Sequence, residues 1–189
     1  MEKKHVLICG ERGAGKSTLI QKLLRESAKP QYGYYTKGSG RDENGRQEIY
    51  IYDAAGKDFT PRKECVVGSC DGKSHEAVTK VFDTLGAAYI RAAQPDGIIV
   101  MDEIGFFEQD ALAFQAAILD ALDGDIPVLA AVKAREGIPF LEKVRMHPNA
   151  DLFILAVENR DALYEELRER VCAQKHPCVA GSESFSTAS

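Results

Sequence analysis

Four apolar residues, Val6-Leu7-Ile8-Cys9, run directly into Gly10-Glu11-Arg12-Gly13-Ala14-Gly15-Lys16-Ser17-Thr18, and beyond it Leu19, Ile20, Leu23 and Leu24 recur on one face of a helix. An unbroken apolar run marks a strand buried on both faces, which belongs in a parallel sheet covered by helices. The glycine-rich stretch is therefore a strand-to-helix turn. Glycines at 10, 13 and 15 let such a turn aim successive backbone N–H groups at one point, and the helix N-terminus adds partial positive charge. The spacing G-x-x-x-x-G-K-[ST] adds Lys16, whose ammonium would reach β- and γ-phosphates, and Ser17, whose hydroxyl would ligand Mg²⁺. A turn without a ligand would explain the glycines but not a Lys-Ser pair in that register. A dinucleotide fingerprint would need a third glycine where Thr18 stands. The expected ligand is a nucleoside triphosphate, held by Gly10, Glu11, Arg12, Gly13, Ala14, Gly15, Lys16, Ser17 and Thr18.

The rest of the chain repeats the strand-helix rhythm. Tyr34-Tyr35-Thr36 and Ile49-Tyr50-Ile51-Tyr52 flank a polar, glycine-rich segment and predict a β-hairpin. Ser74 is placed to cap a helix with Val78, Val81, Phe82, Leu85 and Tyr89 on one face. Ile98 to Met101 reads as a buried strand, Ala111, Phe114, Ile118 and Leu122 as a helical stripe, and residues 127–132 as another strand. A glycine- and proline-containing connection, residues 135–148, leads to a strand at 152–155 and a helix carrying Leu163, Leu167 and Val171. The fold class is α/β, a three-layer sandwich whose mostly parallel central sheet carries an inserted β-hairpin. With 189 residues the chain has room for one core, so residues 1–179 are expected to form a single domain. The small, polar residues 180–189 are expected to form a flexible tail.

The strand at 98–101 ends in Asp102-Glu103, two adjacent acids at the tip of a buried element. Buried carboxylates need charged or polar partners, and a magnesium nucleotide supplies them. Asp102 is expected to hold Mg²⁺ through a water. Glu103, pointing the other way along the strand, would orient and deprotonate an attacking water. Glu108 has two readings: reaching the metal's water shell, or standing as a carboxylate near the N-terminus of the next helix. Arg12, Lys133, Arg135 and Arg160 are the candidates to offset charge on the γ-phosphoryl group, and Arg135 and Arg160 gain from following strand C-termini.

Composition narrows the setting. With 24 Lys+Arg against 29 Asp+Glu the chain carries a formal charge of −5 and shows no basic block, which argues against nucleic acid as a partner. No apolar stretch approaches the ~18 residues of a membrane span, and the first residues are too short for a signal peptide's apolar segment. A cytoplasmic protein is expected, its five cysteines free thiols. Cys65, Cys70 and His75, and again Cys172, His176 and Cys178, cluster, but without the tight Cys-x-x-Cys knuckle of a zinc site.

The glycine loop, Gly33-Tyr34-Tyr35-Thr36, Asp102-Glu103-Ile104-Gly105 with Glu108, and Glu158-Asn159-Arg160 occur in the order seen in one family. Over residues 5–171 the chain resembles the small P-loop nucleoside-triphosphatases related to the human cancer-related nucleoside-triphosphatase. The resemblance implies a P-loop NTPase sandwich and slow, Mg²⁺-dependent hydrolysis of ATP, GTP and other nucleoside triphosphates to the diphosphate and phosphate. It also implies that Asn159 and Arg160 touch the base or the phosphates, although Asn159 equally suits a helix N-cap. The chain departs from the family at Lys37-Gly38, at Asp42-Glu43-Asn44-Gly45 and at Phe106-Phe107. The alternative is a nucleotide or nucleoside kinase, which shares the cradle but excludes water in favour of a bound acceptor. A guanine-nucleotide switch would need Asn-Lys-x-Asp, which Asn159-Arg160-Asp161-Ala162 fails at two positions. A DNA-dependent motor would need a basic strand-binding face.

Overall fold

The computed structural model describes residues 3–56, 58–72 and 74–172. Its elements are β1 (His5–Gly10), α1 (Lys16–Glu26), β2 (Gln31–Gly38), β3 (Gln47–Asp53), a 3₁₀ turn (Lys63–Cys65), β4 (Val66–Cys70) and β5 (His75–Ala77). Next come α2 (Thr79–Val81), a π-helical turn (Phe82–Gly86), α3 (Ala87–Arg91), β6 (Ile98–Ile104), α4 (Leu112–Asp123), β7 (Val128–Lys133), α5 (Pro139–Arg145), β8 (Ala150–Ile154) and α6 (Arg160–Cys172). The strands form one sheet in the order β5-β4-β3-β2-β6-β7-β1-β8. Strands β2, β6, β7, β1 and β8 run parallel, and β3, β4 and β5 extend the sheet antiparallel.

The apolar runs are buried on both faces, as double coverage requires. In β1, Leu7 packs with Met101, Phe114 and Leu141 on one side, while Val6 and Ile8 pack with Leu19, Ile20, Leu23, Leu163 and Leu167 on the other. Helices α1 and α6 thus cover one face, and α3, α4 and α5 the opposite one. The residues expected to form the α4 stripe, Ala111, Phe114, Ile118 and Leu122, are fully buried. No helix among the described residues is long and apolar enough to cross a membrane.

The expected hairpin forms: β2 and β3 pair antiparallel, and its first strand also pairs in parallel with β6, Tyr35 opposite Asp102. Other expectations are corrected. The helix expected from Ser74 begins at Thr79. Ser74 instead closes the β4–β5 turn, its N–H and hydroxyl donating to Asp71 at 2.7 and 2.9 Å, and residues 75–77 join the sheet edge. The π turn adds a residue to the helical repeat, so Phe82, Gly86, Ala87 and Ile90 become the buried set in place of the regular stripe. The 135–148 connection contains α5, opened by Pro139 and buried through Phe140, Leu141 and Val144. The residue 180–189 tail, His176 and Cys178 lie outside the described residues.

Gly33 fixes how closely β2 approaches β6. It has φ +93°, and a Cβ there would stand 2.1 Å from the Val100 carbonyl oxygen. Gly33→Ala combines a left-handed backbone with overpacking against backbone, and is expected to cost about 2–4 kcal/mol of stability. A urea titration followed by circular dichroism should show the lowered midpoint.

Candidate active site

At the C-terminal edge of the parallel strands, residues 10–18 wrap one wall of a cavity of about 860 Å³. Gly13 and Gly15 hold φ of +83° and +100°, the left-handed values that turn the chain from β1 into α1. The Ala14 N–H donates to the Glu11 carbonyl at 3.1 Å and closes the turn. Helix α1 starts at Lys16 with no side-chain cap and no acid in its first turn, so its leading N–H groups point into the recess without a competing carboxylate. Gly10, Glu11, Arg12, Gly13, Gly15, Lys16, Ser17 and Thr18 line the cavity. Ala14 does not: it is buried beneath the loop.

The opposite wall comes from the tip of β6. Asp102 and Glu103 both line the same cavity, in place of the opposed directions expected from strand alternation. The reason lies in register: Met101 pairs with Ala130 and Ile104 with Val132, so two residues of β6 stand against one of β7 and the alternation is interrupted. Asp102 is 5% exposed and its Oδ1 accepts a hydrogen bond from the Ser17 hydroxyl at 2.8 Å. The Thr36 hydroxyl donates to the Asp102 carbonyl at 2.9 Å, fixing the strand tip from β2. Burial pushes the Asp102 carboxyl above its ordinary range, offset in part by the Ser17 bond.

Glu103 bridges two cations, its Oε1 lying 3.0 Å from Lys16 Nζ and its Oε2 3.4 Å from Lys133 Nζ. Lys16 is itself buried and donates to the carbonyls of Gly10 and Glu11 at 2.8 and 3.2 Å. The cavity lining carries five cations, Arg12, Lys16, Arg41, Lys133 and Arg135, against three carboxylates, Glu11, Asp102 and Glu103. A chain of net charge −5 thus gathers cations around one recess, which suits a polyanion.

The remaining candidates fall in other places. Arg135 lines the cavity, its guanidinium 4.9 Å from the Phe106 ring centroid. Arg160 stands outside: its Nε and Nη2 donate to the carbonyls of Ala14 and Gly13 at 2.6 and 3.1 Å, gripping the loop from behind. Asn159 is spent on its own turn, accepting from the Ala156 N–H and donating to the Ile154 carbonyl, both at 2.9 Å. Its side chain turns backwards rather than capping the first turn of α6. Glu108 is 3% exposed and folds back on its own loop, accepting from the Gly105 N–H at 3.0 Å. It does not line the cavity.

Sequence reasoning did not single out Thr36, or Arg145, whose Nη1 donates to the carbonyls of Lys133 and Arg135 at 2.8 and 3.0 Å. Both act through backbone carbonyls, which a motif does not reveal; the apolar spacing of Phe140, Leu141 and Val144 could have placed Arg145 on a helix packed under β7.

Ser17 and Asp102 offer hard oxygen donors side by side, and a buried carboxylate paired with a neutral hydroxyl favours a cation. This donor set fits Mg²⁺ shared with phosphate oxygens rather than an all-protein cage. Among the described residues no group of three or more His, Cys, Asp or Glu side chains is arranged to hold a metal alone.

A sequence profile described as NTPase matches residues 5–168. The chain is 28% identical over 177 residues to "Nucleoside-triphosphatase THEP1" of Aquifex aeolicus, covering 86% of this chain and 96% of that one. It is 28% identical over 178 residues to the protein of the same name from Thermofilum pendens, covering 92% and 98%. Its fold matches the crystal structure of THEP1 from Aquifex aeolicus with a TM-score of 0.65 at 26% identity, over 86% of this chain and 96% of that one. The glycine loop, the acid pair at the tip of a neighbouring parallel strand and the profile spanning both place this chain in the NTPase family of P-loop proteins.

Proposed function

We propose that the protein is a cytoplasmic, Mg²⁺-dependent nucleoside-triphosphatase that releases the γ-phosphate of ATP, GTP and other nucleoside triphosphates. The observation that carries this reading is the 3.0 Å contact between Lys16 and Glu103, which puts the cradle's cation and an acid of the strand tip at one point. A triphosphate entering the loop would compete for Lys16, whose partners are now two carbonyls and Glu103. Once Lys16 turns to the β- and γ-phosphates, Glu103 is left beside Lys133, with an oxygen free to accept a proton from water. The water oxygen bonds to the γ-phosphorus as the bond from that phosphorus to the β,γ-bridging oxygen breaks. The products are the nucleoside diphosphate and phosphate. Ser17 and Asp102 would hold Mg²⁺, which when bound offsets charge on the phosphate oxygens.

Other residues take supporting parts. Arg12, Lys133 and Arg135 surround the recess where γ-phosphoryl charge develops. Arg160 acts through the loop, tying back the Gly13 and Ala14 carbonyls so that the loop's N–H groups face inward. Broad base tolerance is supported by Asn159, whose amide is committed to its own turn and offers no base-reading contact. The kinase alternative draws no support from the relatives compared, which carry the name nucleoside-triphosphatase.

Phosphate release measured across ATP, GTP, CTP and UTP, with and without Mg²⁺, tests reaction and breadth together; comparable rates with metal and none without are expected. Glu103→Gln should bind nucleotide yet turn over roughly 10²-fold or more slowly, the loss expected when a general base is removed. Lys16→Ala should weaken triphosphate binding about tenfold or more by calorimetry, since a charge-assisted contact to phosphate is deleted. Arg160→Ala should raise KM several-fold with a smaller effect on kcat, and Arg160→Lys should not restore it, because one ammonium cannot reproduce the planar two-point grip.

A further inference from the structure

The buried carboxylate of Glu108 has no part in the reaction as described so far. Three residues before it, Gly105 gives it an N–H at 3.0 Å. A methyl group built on Gly105 would meet Glu108 Oε2 at 3.4 Å and Lys133 Nζ at 3.4 Å, so acid and ammonium converge on one glycine. The same ammonium lies 3.4 Å from Glu103 Oε2, and a fixed ring face, Phe106, stands 4.5 Å away. Arg145 holds the Lys133 carbonyl at 2.8 Å, so the base of this side chain is fixed as well. Lys133 thus pairs with Glu103 in the cavity while Glu108, behind it, comes close to the same ammonium without forming an ion pair with it.

From this geometry we infer that Glu108 is a positioning residue for hydrolysis: its charge beside Lys133 keeps that ammonium from closing fully on Glu103, leaving a Glu103 oxygen free for the attacking water. The inference rests on Glu103 being the general base. When nucleotide draws Lys16 away, Lys133 is the remaining cation on Glu103, and Glu108 is the counterweight that sets where it sits. Protonating Glu108 removes the counterweight. Burial pushes its carboxyl up to about 7, with Lys133 and the loop N–H pulling the other way. The groups facing it are Lys133 from β7, Glu103 from β6 and the buried hydroxyl of Tyr34 from β2, whose titration burial and the acids Glu108, Asp102 and Glu103 push well above its usual range. His75 of β5 packs on Phe106 and Phe107 of the same loop. The sign follows: ionised Glu108, above neutrality, supports turnover, and kcat falls as pH drops through about 7.

The test is the pH profile of kcat for MgATP in wild type, Glu108→Gln, Lys133→Met, Glu103→Gln and the double variant Glu103→Gln/Glu108→Gln. Gln at 108 keeps the size and can still accept the Gly105 N–H. It should lower kcat about tenfold at pH 8 with KM within about twofold, abolish the acid limb, and add nothing on top of Glu103→Gln. His75→Gln should keep the limb. Lys133→Met, at a partly exposed side chain, should abolish the limb by removing the link, and decides the matter if the Glu108 variant does not fold. Wild-type kcat and an intact limb in Glu108→Gln, or an intact limb in Lys133→Met, with Glu103→Gln slow, overturn the role of Glu108 alone. Full turnover in Glu103→Gln overturns both readings, through Glu103.

Discussion

The ammonium of Lys16 meets Glu103 across a strand that belongs to neither. β1, which feeds the loop, and β6, which carries the acids, are separated by β7, a gap of about 10 Å from two strand spacings. Two long side chains close that gap only if the strands end at the same edge and both aim over β7. The parallel pairing of β7 with each neighbour secures the first condition. The interrupted register at Met101 and Ile104 secures the second, turning both acids to one side. Lys133, the last residue of β7, then stands beneath the meeting point and completes the charge cluster.

This arrangement concentrates opposite charges that bulk composition does not hint at. The acidic chain directs long-range repulsion at an anionic substrate, while the recess presents cations at short range, where screening is least effective. The carboxylates among them keep those cations from forming an undifferentiated anion trap. Asp102 has a hydroxyl and Glu103 two cations to exchange, so an entering anion would re-pair existing contacts rather than create a charge imbalance. Backbone carbonyls do much of the fixing: Thr36, Arg145 and Arg160 each hold main chain, which places side chains without occupying the cavity.

What the sequence made legible follows a physical divide. The loop from Gly10 to Ser17, the apolar strands and the acids at 102 and 103 were readable because each carries its own signal, either a period or a residue type that is costly without a partner. β4 and β5 were not: five residues broken by Gly68-Ser69 and three exposed ones owe their pairing to neighbours rather than to an intrinsic pattern. The start of the second helix was misplaced because Ser74 suits both a cap and a turn, and Asp71 decided for the turn. Arg160 could be chosen as important but not assigned a target, since a guanidinium that grips carbonyls and one that grips phosphate look alike in one dimension. Glu108 likewise kept two readings until its burial and the Gly105 N–H gave a third.

The grip of Arg160 on Gly13 and Ala14 joins residues 146 and 147 positions apart in the chain. The loop's sequence is complete within the first tenth of the polypeptide, yet its outer brace is supplied only after the last parallel strand has been made. A ribosome that stalls or terminates before residue 160 therefore releases a fragment bearing every residue of the motif but not the hand that shapes it.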